Sequence, residues 1–192
     1  LLNFTPTIGG RELLWKIFTD PHNDLQKIRG TQKVIRTFME HIHHWPSEIS
    51  NGTVLVMEKF LDYQIDPISE APASFNNLFY KWLHNADYSM IKYSMPHFGD
   101  FFRGLRLIAE LLSDLDLPPA IKLYIDRING LLKEPPLKKL SETERGEKPG
   151  ARQNLYYAYH LRGRYKNSTL ELIDIYSRLD AWYSMAVAVK TY

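Results

Sequence analysis

The chain has 192 residues, 44% of them hydrophobic and 24% charged, with a net charge of +2; this is enough for one domain with a real core. It contains no cysteine, which excludes a disulfide scaffold, a thiolate zinc centre and a cysteine nucleophile, and fits a reducing, cytoplasmic setting. No stretch has the uninterrupted apolar length of a membrane span, and the opening residues lack the layout of a signal peptide.

The charge is uneven. Leu1 to Phe38 carries six basic and three acidic residues, Met39 to Ala120 five and eleven, and Thr143 to Lys166 six and two. An acidic middle between two basic ends suits an elongated molecule with different partners along its length. The chain opens on Leu1 and is at once in structured sequence, which leads us to expect a piece of a larger protein.

The pattern is helical nearly throughout. In "GGRELLWKIF" a first helix is predicted to start after the entry turn Gly9-Gly10 and to stop at Asp20-Pro21, because the residue before proline is pushed out of the α region. Asn23 or Asp24 can cap the second, where Leu25, Ile28, Ile35, Phe38, Met39 and Ile42 share one face and Trp45-Pro46 closes the helix. "TVLVMEKFLDYQ" reads as a shorter helix, with a strand as the alternative because of its β-branched start. The aromatic-rich stretch over 74–94 is predicted to be helical, with Met95-Pro96 as its boundary. A separate helix then carries Phe101, Leu105, Ile108, Leu112 and Leu115 at alternating four- and three-residue steps.

Ile121, Tyr124, Ile125, Ile128, Leu131 and Leu132 form the next helix, closed by Glu134-Pro135-Pro136. "SETERGEKPGARQN" is a polar loop, and "LYYAYHLRGRYK" is either a short helix or a hairpin arm. The last helix is predicted to start at Ser168, with Glu171 completing a capping box, and to bury Leu172, Ile173, Tyr176, Leu179, Tyr183 and Val187. The whole reads as one all-α domain over 1–192, an elongated helical bundle with a short basic loop or hairpin excursion at about 141–167.

Few residues suggest chemistry. There is no GxxxxGK[ST] and no GxGxxG after a strand. His41 and His44 would share a helix face but lack a third ligand, so a solvated helix end accounts for them better than a metal. Glu58, Asp62, Asp66 and Glu70 read as a solvated acidic surface rather than an acid–base pair. The sequons at Asn51 and Asn167 read as turn and cap residues. No catalytic residue and no metal ligand is assigned, and an enzyme working through His41 and His44 is a distant third reading. The one basic–aromatic segment is "RQNLYYAYHLRGRYK". Arg152, Arg162, Arg164 and Lys166 could pair phosphates while rings such as Tyr157 stack. The plainer reading has the tyrosines covering neighbouring helices and the arginines solvated.

The two ends of the chain carry a resemblance. Thr5, Thr7 and Gly10, then Leu13, Leu14 and Phe18, then Pro21 and Asp24, then Ile28, Gln32 and Ile35 follow, without a gap, the start of the core or lever domain of MutS family DNA mismatch repair proteins. The arginine usual two residues after the glycine is replaced by Glu12, with Arg11 beside it. At the far end "LDAWYSMAVAV" is similar to the helix by which that lever returns toward the ATPase, with Leu179, Asp180, Ser184 and Ala186 in register. The resemblance covers about the first forty and last fifteen residues.

It implies a dimeric DNA-binding ATPase of the P-loop type, with ATP and Mg bound outside this chain, double-stranded DNA as partner, and this chain as the non-catalytic transmitter between them. The segment from Pro135 to Ser168 leaves no room for the DNA-contacting clamp of the bacterial repair type, which implies a divergent, clamp-less member. The alternative from a different class is a freestanding α-helical protein-interaction module without an ATPase.

Overall fold

A computed structural model describes residues 4–21, 23–68 and 83–192. The described residues form eight α-helices and no strand: α1 (Ile8–Thr19), α2 (Leu25–His41), α3 (Asn51–Asp62), α4 (Asn85–Ser113), α5 (Pro119–Leu131), α6 (Pro135–Ser141), α7 (Ala151–Arg162) and α8 (Lys166–Thr191), with a 3₁₀ turn over Ile42–His44. The fold is all-α.

Two long helices organise it. In α4, Ile91, Met95, Phe98, Phe102, Leu105, Ala109 and Leu112 repeat at four- and three-residue steps and are all fully buried, as a helix-packing seam requires. Phe101 and Ile108 widen this seam, and α3, α5, α6 and α7 all pack on it. The second long helix, α8, is buried around most of its circumference at its middle, where Leu172, Ile173, Ile175, Tyr176, Ser177, Leu179, Asp180 and Ala181 are buried, while Glu171, Asp174 and Arg178 reach solvent. A helix covered on most sides is a central one; α1 and α2 lie along it. The Phe101 and Tyr176 rings pack edge to face with their centres 6.0 Å apart, and one hydrophobic core runs continuously from Val34 to Ala186.

Several boundaries depart from those predicted. Pro96 does not end a helix: it lies inside the 29-residue α4. An internal proline costs about 3 kcal/mol, and the seam buried on both sides of it outweighs that cost. The part of the predicted 74–94 helix ahead of Leu83 lies outside the described residues, as does Glu70. The "TVLVMEKFLDYQ" stretch is a helix, with no strand, and Ser50 caps it through a reciprocal bond with Thr53.

On α2, capped by Asp24, only Val34 and Phe38 are fully buried, whereas Leu25 is 59% exposed and Ile28 36%. The helix therefore meets α8 through its second half. The last helix starts at Lys166, ahead of Ser168, with no side-chain cap. Glu171 instead reaches across to α5, accepting from Arg127 Nε and Nη2 at 2.7 Å each. The segment predicted as a loop or hairpin excursion over 141–167 is a loop followed by α7. This helix buries Asn154, Leu155, Tyr157, Ala158 and Leu161 and so belongs to the body of the fold.

Candidate functional site: a buried joint between the two ends of the chain

The residues just before α1 are tied to α8. Thr7 is the N-cap of α1, and its hydroxyl accepts from the Gly10 amide at 3.1 Å. The same hydroxyl donates to Asp180 Oδ2 at 2.5 Å, and the Thr7 amide donates to that oxygen at 3.2 Å. One turn along α8, Ser184 Oγ accepts from the Phe4 amide at 2.8 Å. Asp180 and Ser184 are both fully buried.

Gly9 and Gly10 lie inside the first turn of α1, not ahead of it as predicted. They permit close approach: a Cβ on Gly10 would overlap Asp180 Oδ2, and one on Gly9 would crowd Ser177 Oγ. Leu14, one turn further on, is buried.

The electrostatics of the joint are unusual. Asp180 Oδ1 is buried with no hydrogen-bond partner, and a bare carboxylate oxygen in an apolar setting disfavours the charged form. Burial raises the Asp180 pKa to about 7, even though the two Thr7 donors pull it down. Tyr176 and Tyr183 are pushed up by burial and by the nearby Asp180 charge. Tyr183 stacks on Trp45 at 4.6 Å and an interplanar angle of 14°.

Five of the residues that carry the resemblance thus fall on or beside the joint. Thr7, Gly10, Asp180 and Ser184 form it, and Leu179 is buried next to it. Thr5 lies between Phe4 and Thr7 in the tethered segment and is half-buried. Pro21, Asp24 and Gln32 lie apart from it, at the exposed α1–α2 turn and on the outer side of α2. Spacing alone marks these residues as packing positions; a hydrogen bond across 173 residues has no local signal.

The basic–aromatic residues are dispersed. Tyr157 is 4% exposed, so its ring has no free face for a base. Arg162 donates to the Phe60 carbonyl and lies 5.5 Å from the Phe60 ring centre, which makes it a structural contact between α7 and α3. Arg164 is exposed, 3.9 Å from Glu134 and 5.4 Å from the Tyr165 ring. Arg152 is exposed at the start of α7, and Lys166 is half-buried at the start of α8. Arg152 is separated from Arg164 by the length of α7, about 18 Å at 1.5 Å per residue.

His41 Nδ1 bonds the Thr37 carbonyl at 2.8 Å, and His43 faces Lys190. Among the described residues one other group has metal-ligand spacing: Asp66, His84 and Asp87, with donor atoms within 4.8 Å of one another. There His84 Nδ1 lies 2.6 Å from Asp66 Oδ2, and the Asp66 amide donates to Asp87 Oδ2 at 3.0 Å, so the three also satisfy each other. A cleft of 240 Å³ between α1, α2 and α8, lined by Lys16, Asp20, Arg178 and Trp182 among others, is smaller than most small-molecule sites. No helix among the described residues is long and apolar enough to cross a membrane.

No protein-family model, no curated protein and no solved structure matches the chain.

Proposed function

We propose that the chain is the helical core or lever of a MutS-like, DNA-binding ATPase. In this reading it carries nucleotide-driven motion between a P-loop ATPase domain, outside this chain, and bound DNA. ATP and Mg act in that other domain, the parent works as a homodimer on double-stranded DNA, and this chain has no catalytic residue of its own.

The observation that carries the reading is the joint. Thr7 and Gly10 from the first half of the resemblance meet Asp180 from the second, and Ser184, one turn on, accepts from Phe4 in the same tethered segment. A motif split between two ends of a sequence gains weight when its halves meet in space. The mechanics fit as well. Helices of 29 and 26 residues span about 44 and 39 Å, and their continuous buried seams make them move as rigid bodies.

The test is the coding sequence beyond Tyr192. A GxxxxGK[ST] element following a strand within the next few hundred residues supports the lever; an immediate stop or an unrelated domain sinks it.

A second reading, a freestanding helical interaction module, is favoured by one observation. The outer stripe of α1 exposes Ile8 at 38%, Trp15 at 70% and Phe18 at 53%, and apolar side chains grouped on one exposed face mark interaction sites. The same sequencing separates the two.

A further inference from the structure

Asp180 is a buried acid in a place built to accept no further donor. Oδ2 receives the hydroxyl and the amide of Thr7, while Oδ1 has no hydrogen-bond partner. Gly10 lies against the carboxyl with no room for even a methyl group between them. The Thr7 hydroxyl has one proton and gives it to Oδ2, so it cannot serve Oδ1 as well.

The groups facing Asp180 come from two places. Thr7 and Gly10 lie at the start of α1, and Tyr176 and Tyr183 lie on α8; Trp45, after α2, covers Tyr183 in turn. None is a cation, and both phenols stay neutral across the physiological range because their own titration is pushed upward. Arg11 and Glu12, the charged residues nearest in sequence on α1, are exposed. An ionised Asp180 in the closed joint therefore has two hydrogen bonds and no counter-charge.

We propose that the Thr7–Asp180 joint is a proton-operated latch: with Asp180 neutral, the residues leading into α1 are held firmly on α8, and ionisation of Asp180 loosens that hold, so that the joint opens more often. Opening lets water reach both carboxylate oxygens. It frees the Phe4 and Thr7 amides and leaves the start of α1 without its tether to the central helix. The latch follows from the joint alone and does not depend on the lever reading. Under that reading, it would set how firmly the first helix follows the last.

Proton linkage fixes the direction of the switch. The closed form holds the Asp180 proton up to about pH 7, whereas a solvated aspartate loses it near pH 4. The ratio of open to closed joints therefore rises about tenfold per pH unit between those limits and levels off above them.

The experiment uses the full 192-residue chain, isotope-labelled, followed by NMR from pH 5 to pH 8.5. Two quantities are read: the titration midpoint of the Asp180 side-chain carboxyl carbon, and the exchange protection of the Thr7 and Gly10 amides after correction for the intrinsic pH dependence of exchange. The expected result is a carboxyl midpoint between pH 6 and 8. Protection should fall by about two orders of magnitude between pH 5 and pH 7, then hold constant. Asp180→Asn, which keeps an acceptor for Thr7 but cannot ionise, should show flat protection. A carboxyl midpoint below pH 5, or protection that does not change with pH in the native chain, overturns the latch without recourse to the variant. A variant that folds and keeps the native pH profile overturns it as well.

Discussion

The Thr7 hydroxyl donates to Asp180 across 173 residues of sequence at 2.5 Å, and the bond forms only because Gly10 lets α1 lie against that carboxyl. A Cβ on Gly10 would have to displace the side chain it touches. Gly10→Ala should destabilise the chain by about 1–3 kcal/mol, the usual cost of overpacking. Gly30 is the control. It sits inside α2 with nothing within 4 Å of its would-be Cβ, so Gly30→Ala should stabilise by about 0.5–1 kcal/mol through helix propensity. Urea denaturation of both variants checks the pair, and equal effects at the two positions would remove the close-approach argument.

Global stability should carry the Asp180 signature. Its folded pKa, about 7, lies above the ordinary 3.8, so the folded chain binds more protons than the unfolded one between those values. This contribution is fully present below about pH 4, is lost as pH rises to about 7, and is constant above. Three pK units correspond to about 4 kcal/mol as a ceiling. Glu171 acts in the opposite sense: Arg127 holds its pKa down, so its small contribution disappears as pH falls. Denaturation midpoints at pH 5 and pH 8 should therefore differ, and Asp180→Asn should narrow the difference.

The bond between Arg127 and Glu171 fastens α5 to α8 with two parallel contacts of 2.7 Å. Both side chains are close to half exposed, so solvent screens the pair. Arg127→Ala should cost about 0.5–1 kcal/mol in low salt and much less in 1 M salt, where screening shortens to about 3 Å. Denaturation at two salt concentrations measures it. A loss that is independent of salt would instead assign the arginine's contribution to the packing of its stem.

What could be read from the sequence follows from where the information is local. The four–three repeat from Phe101 to Leu112 is a property of one helix and survives in α4, but its last predicted member, Leu115, lies beyond that helix, which ends at Ser113. Of the two candidate caps, Asn23 and Asp24, it is Asp24 that caps α2. Pro96 misled because a local rule about proline was set against a seam that runs past it on both sides; buried Met95 and Phe98 decide the matter. Leu25 and Ile28 have the right spacing, yet no spacing rule says how far a partner helix extends. Glu171 has capping-box spacing from Ser168, but Arg127, 44 residues away, offers it a better partner. The joint is the extreme case. Its members were legible as a resemblance, but the buried acid at its centre appears only once the ends are brought together.

The basic–aromatic helix α7 separates stability from DNA binding. Tyr157 is a core residue, so Tyr157→Ala should cost about 3–5 kcal/mol and tell nothing about DNA. Arg152 and Arg164 are exposed, so replacing either with alanine should leave stability within about 0.5 kcal/mol. If the lever reading is right and this face meets duplex, the chain binds it weakly and non-specifically. The slope of log affinity against log salt should then become shallower by about 0.9 for each phosphate that an arginine no longer neutralises. Fluorescence anisotropy with a labelled duplex at several salt concentrations measures this slope for the native chain and for each arginine variant. Arg162 should behave differently from both, because its guanidinium is engaged with Phe60. Arg162→Ala should lower stability while leaving the salt slope where it was. A slope unchanged in all three variants would place any DNA contact elsewhere on the chain, and α7 would then be a packing element alone.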